Sequence, residues 1–388
     1  MQTSSGIFKR DFILVFFAQI AFNSVERLLV PTLPIYLKNL NSAEFQIGIL
    51  IGAFGLASVF SRPFSGRMLA KISEKTFMLI GASLYIISSL AYIVFLPFWP
   101  FLFVRILQGV GFGFFHTAST TYVVNITEAS KRARVLAYLA ISMNIASAVA
   151  PPLGIVIADR AGFTCLFLIC AAVSICMFCI SSVLKRSRLV TASPGVSAST
   201  GSAIICKQAI PASIICLSSL FLMTSTATFY PLHARSFGIA NPGLFFTVVA
   251  VVLVLSRTLG GRILDIPNRK IVIIPAILIS MIGTILLALF KTQPIFLVAG
   301  GLLGLGQGFL MASLMAFALE QSRSQPGPVV ATFFAFADTG MFIGPLIMGV
   351  VAQNMGYPAV FLSLFIVCLM SLMYFWYIAQ RHGDREHG

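Results

Sequence analysis

Long apolar runs recur along this chain of 388 residues and limit what it can fold into. Each run is about 20 residues long, the length that a helix needs to cross roughly 30 Å of hydrocarbon. Apolar residues make up 58% of the chain and charged residues only 10%, whereas a soluble domain carries about a quarter charged residues. The chain is therefore expected to fold in lipid.

The runs predict helices, because lipid cannot satisfy exposed backbone groups and the runs lack the alternation of a barrel strand. The first run is too long for a signal-peptide core and lacks a small-residue cleavage site, so it is interpreted as a span. The expected fold is an all-α integral membrane protein of about twelve transmembrane helices. The predicted spans lie near residues 11–38, 44–65, 76–96, 98–123, 133–157, 162–184, 208–232, 242–264, 271–290, 293–318, 329–352 and 357–379.

The placement of charge predicts the orientation of the spans. The net charge of +15 does not indicate a nucleic-acid partner, because Lys and Arg lie in short gaps between apolar runs. With the N-terminus inside, the inner segments carry most of the basic residues, and the outer loops carry only Lys38, Arg160, Arg235 and Lys291. This bias predicts that both termini are cytoplasmic. The compact loops suit a bacterial inner (plasma) membrane.

The longest polar gap, residues 185–207, follows the sixth predicted span and is rich in Ser, Thr, Ala, Gly and Pro. Such a composition is typical of a flexible linker. We predict a six-helix bundle in residues 1–184, a cytoplasmic linker in 185–207, and a second six-helix bundle with a short cytoplasmic tail in 208–388.

The two halves repeat each other. Residues 61–75 align with residues 256–270 at an offset of 195, and an offset one residue shorter relates Gly162 to Gly356. Three glycines of the fourth span map onto three of the tenth at the offset of 195: Gly109, Gly111 and Gly113, and Gly304, Gly306 and Gly308. Internal symmetry of this kind predicts two bundles related by an axis along the membrane normal, with a site between them near the midplane.

Three motifs in the predicted spans and loops resemble those of one transporter family. Residues 66–75 are similar to its G-x-L-A-D-R-x-G-R-K loop, although Ala70 takes the acidic place and Ser73 that of the second Gly. Residues 105–113 resemble its R-x-x-Q-G-x-G-x-G motif, and residues 146–154 its G-x-x-x-G-P-x-x-G motif. Over nearly its whole length the chain resembles the major facilitator superfamily, and within it the bacterial twelve-helix drug:proton antiporters.

The resemblance implies an inner gate and two proline-kinked helices. The second-half copy of the loop motif keeps the acidic residue that the first-half copy lacks. The candidate gating residues are Arg62, Gly66, Arg67, Arg257, Gly261, Asp265, Pro151 and Pro345.

Ionisable groups near the middle of a span cost free energy to insert into the bilayer and are therefore functional candidates by default. Glu26 and Asp338 are the two acidic residues at such depths. Arg105 joins them as a proton-coupling candidate, because the resemblance links its motif to proton coupling. A buried ion pair between Glu26 and Arg105, and a helix–helix or gate contact of Asp338, are the structural alternatives.

Polar residues in spans one, four and seven are candidates for lining a substrate cavity. They are Gln19, Asn23, Arg27, Gln108, His116, Thr224, Thr228 and Tyr230. Two alternatives remain open: the hydroxyls of span seven bond their own backbone, and His116 is a packing histidine.

These features predict a secondary active transporter that couples proton movement to efflux of a small amphipathic organic molecule by alternating access. A proton-coupled importer or a uniporter of a metabolite is the alternative, and a non-transporting receptor or scaffold is a further one. The sequence contains no nucleotide-binding G-x-x-x-x-G-K-[ST] motif and no H-E-x-x-H pair. We expect no enzyme activity, cofactor or metal site. The expected partners are the substrate, protons and the lipid bilayer, and the chain is expected to be a monomer.

Overall fold

The computed structural model describes residues 10–69, 71–94, 98–128, 131–185, 206–259, 269–321 and 326–386. These residues form helices and no strand, which confirms the predicted all-α fold. A short 3-10 turn, Lys207–Ala209, precedes the sixth helix. The helices are α1 Arg10–Asn39, α2 Glu44–Met68, α3 Glu74–Val94, α4 Phe98–Ile126, α5 Arg132–Ser182, α6 Ile210–Ser236, α7 Gly243–Leu259, α8 Lys270–Leu289, α9 Gln293–Gln321, α10 Pro326–Met355 and α11 Tyr357–Glu386.

Helix α5 holds two spans. Its 51 residues amount to about 75 Å, more than twice the hydrocarbon thickness. Gly162, with φ 82° and ψ 165°, breaks it into α5a (132–161) and α5b (163–182). Within the described ranges ten helices are long and apolar enough to cross a membrane, and α7 is a shorter apolar helix. With α5 divided, this agrees with the twelve predicted spans.

The sequence repeat is also a repeat of backbone conformation. Gly356, which the offset of 194 relates to Gly162, has φ 80° and separates α10 from α11. Each of these two glycines therefore ends one helix and begins the next, at the same place in each half. Only glycine adopts this region without strain.

Close helix contacts repeat in the same way. A Cβ on Gly109 of α4 would meet the carbonyl oxygen of Phe54 on α2, and one on Gly304 of α9 would meet that of Val249 on α7. The contacted residues, Phe54 and Val249, are themselves 195 positions apart. The glycines of α4 and α9 thus let backbones approach closely, as small residues do between membrane helices.

We predict that Gly162→Ala lowers the stability of the protein by about 1–3 kcal/mol, because φ 82° with ψ 165° is a conformation that essentially only glycine adopts. A Cβ at Gly162 would meet nothing within 4 Å, so the cost comes from the backbone alone. The measurement is the thermal midpoint of the purified protein in detergent. Gly301→Ala, in a helix with its nearest neighbour at 3.7 Å, is the control and should keep or raise the midpoint. Equal midpoints for the two variants would contradict the strain argument.

Contacts divide the chain into two units. Unit 1 comprises residues 1–32 and 53–200, and unit 2 comprises residues 33–52 and 201–388. The tip of the α1–α2 hairpin, residues 33–52, thus packs with the C-terminal helices, whereas the sequence placed all of α1 and α2 in the first bundle. Most of the predicted linker lies outside the described residues.

Candidate transport site

Two polar side chains of α1 tie that helix to its neighbours in unit 1. Gln19 donates from Nε2 to Ser119 Oγ on α4 at 3.0 Å. Asn23 donates from Nδ2 to its own helix at 2.7 Å, and its Nδ2 lies 3.4 Å from Ser142 Oγ on α5a. Both residues are buried. These two cavity candidates therefore take part in helix–helix contacts, which also fix the rotation of α1.

Glu26 lies one turn beyond Asn23 and forms an ion pair with its neighbour Arg27. Glu26 Oε2 lies 3.5 Å from Arg27 Nε, and the two side chains are 16% and 31% exposed. Part of each charge therefore remains accessible, unlike in a sealed buried pair. Glu26 and Arg27 both interact electrostatically with Tyr85 on α3.

Arg105 on α4 is held in a buried polar cluster. Its Nη1 donates to Gln108 Oε1 at 2.7 Å, and Tyr92 of α3 donates its hydroxyl to the same oxygen at 2.6 Å. The guanidinium also lies over the ring of Phe54, 4.8 Å from its centroid. Hydrogen bonds donated by the charged group and a cation–π contact both stabilise a buried guanidinium. We call Tyr92, Arg105 and Gln108 the Arg105 cluster.

Tyr85 of α3 lies within electrostatic reach of both Glu26 and Arg105. The sequence motifs did not single it out. Tyr85 is fully buried, and its ring lies 5.2 Å from that of Phe22. The signal was present in the sequence, because hydroxyl residues recur at three- and four-residue spacing over positions 85–92 of an apolar helix.

His116 packs against an aromatic neighbour. Its ring is nearly parallel to that of Phe112 at 5.6 Å, and its backbone oxygen accepts the hydroxyls of Ser119 and Thr120. This geometry is the one expected if His116 is a packing histidine. His116 also interacts electrostatically with Arg62 of α2.

In unit 2, Asp338 of α10 interacts electrostatically with Cys216 of α6. The two helices approach closely slightly further along α10. A Cβ on Gly344 would lie 2.8 Å from the carbonyl oxygen of Phe221, and one on Gly340 would meet that of Leu217. The second mid-span carboxylate therefore lies two residues before a tight helix contact.

The polar run of α6 is partly satisfied by its own helix, and the hydroxyls of Ser225 and Thr226 have no hydrogen-bond partner among the described residues. Thr224 donates to Leu220 O and Thr228 donates to Thr224 O, each at 2.8 Å. Tyr230 is buried and stacks on Phe245 with ring centroids 3.9 Å apart. Of the two alternatives for the hydroxyls of this span, the structure shows backbone bonding at Thr224 and Thr228.

The gating candidates are only partly described. Arg62 is half-buried, Arg257 is exposed, and Pro151 and Pro345 are buried within helices. Gly66 and Arg67 lie in α2. The Arg67 side chain, Gly261 and Asp265 lie outside the described residues.

The hairpin tip makes a polar contact with α11. Glu44 pairs with Lys38 and accepts the hydroxyl of Tyr357 at 3.1 Å. The Glu44 carboxylate thus links the hairpin tip to the start of α11 through the Tyr357 hydroxyl.

Glycines bring the same tip against α10. A Cβ on Gly48 would meet the carbonyl oxygen of Pro345, and one on Gly349 would lie 2.8 Å from the carbonyl oxygen of Glu44. One gating candidate, Pro345, therefore packs against the start of α2. Sequence reasoning did not find this contact, because its partners are about 300 positions apart.

A family model described as Major Facilitator Superfamily matches residues 12–241 and 212–387. The chain belongs to the major facilitator superfamily. It is therefore an integral membrane transporter of small molecules, and the predicted family is confirmed.

Relatives of this superfamily member match it along most of its length. Multidrug resistance protein 2 of Bacillus subtilis (strain 168) is 23% identical over 372 residues, covering 90% of each chain. The quinolone resistance protein NorA of Staphylococcus aureus (strain MRSA252) is 22% identical over 354 residues, covering 88% of this chain and 89% of NorA.

Solved structures of other transporters share the fold. A mutant of the nucleoside transporter NupG matches with a TM-score of 0.83 at 14% identity, covering 94% of this chain and 98% of that one. A POT family transporter bound to 5-aminolevulinic acid matches with a TM-score of 0.80 at 13% identity, covering 96% of each. At these identities the likeness concerns the fold alone.

Proposed function

We propose that this superfamily member is a proton-coupled exporter of small amphipathic organic molecules. The observation that carries the proposal is the position of Glu26. This carboxylate lies near the middle of α1, is 16% exposed, and has the charge of Arg27 at 3.5 Å and that of buried Arg105 in the same unit. A partly accessible carboxylate beside a cation can gain and lose a proton as its surroundings change.

The names of the relatives support the direction and the class of substrate. Two of them, from Bacillus subtilis and Staphylococcus aureus, are named for multidrug and quinolone resistance. We therefore take a quinolone as the first probe. A zwitterion suits a site that has both charge signs, as Glu26 and Arg27 supply.

Protons and substrate would alternate in such an exporter. Protonation of Glu26 removes the partner of Arg27 and disfavours a cationic substrate, whereas its deprotonation favours one. Asp338, beside the α6–α10 contact, is the proposed second proton site. Residues 33–52 would act as a gate at the predicted outer side, opening and closing against α10 and α11. The chain would act as a monomer with both termini in the cytoplasm.

Glu26→Gln is expected to lower gradient-driven accumulation of a quinolone by at least about tenfold, equivalent to about 1.4 kcal/mol. The amide keeps the size of the side chain but cannot exchange a proton. The measurement is accumulation of norfloxacin, followed by its fluorescence, in proteoliposomes with an acidic interior. Exchange of norfloxacin without a gradient should persist, because binding and alternation remain.

Glu128→Gln is the matched control. Glu128 lies in a loop, is 57% exposed and pairs with Lys131, so the same change should leave transport unaffected. Coupled accumulation by Glu26→Gln equal to that of this control would reject Glu26 as the proton site. Uptake driven by an acidic exterior in place of an acidic interior would favour the importer.

A further inference from the structure

Helix α3 carries a row of buried hydroxyl groups, which we call the hydroxyl stripe: Tyr85, Ser88, Ser89 and Tyr92. Three- and four-residue steps place them on one side of the helix. All four are 0% exposed. The hydroxyls of Tyr85, Ser88 and Ser89 have no hydrogen-bond partner among the residues that the structure describes. Each such group costs about 1–3 kcal/mol, so three together call for an explanation.

The two serines of the stripe differ from most buried serines that the structure describes, although Ser225 of α6 and Ser313 of α9 also have no hydrogen-bond partner there. Ser142 of α5a donates to a carbonyl of its own helix at 2.6 Å, and Ser174 of α5b does so at 2.7 Å. This is the usual way in which a helix satisfies a buried hydroxyl. The absence of that bond at Ser88 and Ser89 leaves both hydroxyls able to donate and accept elsewhere.

The second half of the chain provides an internal comparison. The offset of 195 relates Tyr85 to Ser280 and Ser89 to Thr284, both on α8. Ser280 and Thr284 are buried and donate to carbonyls of α8 at 2.9 Å and 2.8 Å. The unsatisfied stripe is thus a property of the first half, which also holds Glu26 and Arg105, and not of the repeat.

The two ends of the stripe meet ionisable groups. At one end Tyr85 interacts electrostatically with Glu26, Arg105, Tyr92 and Arg27. At the other end Tyr92 donates to Gln108, and Arg105 and Cys170 act on it electrostatically. Seven residues of helix separate the two tyrosines, or about 10 Å. Tyr92 lies two residues before the end of α3, which the charge bias places at the outer side.

We propose that the hydroxyl stripe of α3 conducts protons between the predicted outer side of the membrane and Glu26. This inference rests on the proposed proton coupling and adds the route by which the proton reaches its site.

Conduction changes no covalent bond permanently. A proton bound at the oxygen of Tyr85 displaces that residue's own hydroxyl proton, which a water molecule passes on to the Glu26 carboxylate. The serine hydroxyls and intervening water molecules replace it in the same way, and each hydroxyl then reorients, so each group ends as it began. The negative charge of the Glu26 carboxylate attracts an excess proton along this path.

Tyr85→Phe tests the path while keeping the ring that packs on Phe22. Norfloxacin accumulation driven by the proton gradient should fall at least about tenfold, equivalent to about 1.4 kcal/mol. Norfloxacin exchange without a gradient should stay unchanged, and the thermal midpoint should not fall, because the hydroxyl removed has no hydrogen-bond partner among the described residues. The double variant Ser88→Ala/Ser89→Ala should lower coupled accumulation several-fold, although removal of an unpartnered hydroxyl should not destabilise the fold.

Ser280→Ala is the control, since it removes a hydroxyl at the repeat position of Tyr85. It should leave coupled accumulation unchanged. The path is overturned if Tyr85→Phe and the double serine variant both fold and keep coupled accumulation within twofold of the parent while Glu26→Gln loses it. If Glu26→Gln also keeps coupling, the proposed function itself is rejected. If only one of these two variants folds, its coupled accumulation decides the question.

Discussion

Arg105→Met is expected to reduce gradient-driven transport about a hundredfold, which corresponds to about 2.8 kcal/mol. Methionine keeps an unbranched side chain but removes the donor that bonds Gln108 at 2.7 Å and the cation over Phe54. Gln108 Oε1 would keep only the hydroxyl of Tyr92. The unit that holds Glu26 would also lose the buried positive charge of Arg105, which the proposed proton coupling requires.

The free energy of unfolding of Arg105→Met should fall by less than the roughly 2.8 kcal/mol to which its loss of transport corresponds. A hydrogen bond from a charged donor contributes about 1.5–3 kcal/mol and a cation–π contact about 0.5–2 kcal/mol, but relief of the buried charge offsets part of both. Arg105→Lys keeps the charge without the planar fork and should lie between parent and methionine variant. Arg160→Met, at an exposed position, is the control. If coupled transport by Arg105→Met stays within twofold of this control, Arg105 has a purely structural role.

Gly48→Ala is expected to lower transport at least about tenfold, or about 1.4 kcal/mol, by disturbing the packing of the hairpin tip on α10. The added Cβ would overlap the carbonyl oxygen of Pro345, a backbone atom that cannot rotate away. Overpacking of this kind costs about 1–3 kcal/mol and pushes the tip outward. Alanine otherwise favours a helix over glycine, so any loss comes from the contact.

Amide hydrogen exchange over residues 33–52 measures the disturbed contact directly. Exchange there should accelerate in Gly48→Ala and stay unchanged in Gly301→Ala, whose Cβ has room. Parental exchange and transport in Gly48→Ala would show that α10 adjusts to the added methyl group and that the tip is not a gate.

The fold was largely predictable because lipid imposes simple rules. Apolar length placed the spans, with boundaries beside Gly162 and Gly356, where the structure shows the helix breaks. Contacts between distant segments were not predictable. Glu44 of the hairpin tip meets Tyr357, and hydropathy contains no information on which loop meets which helix end.

The candidate site was predictable where a residue is unusual for its depth. Glu26 and Arg105 stand out as charges in apolar runs, whereas Tyr85 and Ser88 are ordinary residues of a membrane helix. Their significance depends on hydrogen bonds that they do not make within the described structure. Neighbouring residues lie about 100° apart around a helix, yet the long side chains of Glu26 and Arg27 bring their charges to 3.5 Å.

The allocation of residues 33–52 to unit 2 bears on what happens when the chain is cut. Cleavage within residues 185–207 would yield two fragments, and the N-terminal one would carry a segment whose packing partners, such as Pro345 and Tyr357, are in the other. Co-produced fragments would thus have a built-in means of recognising each other. A C-terminal fragment produced alone would leave the surface of α10 beside Pro345 uncovered, which makes it prone to self-association.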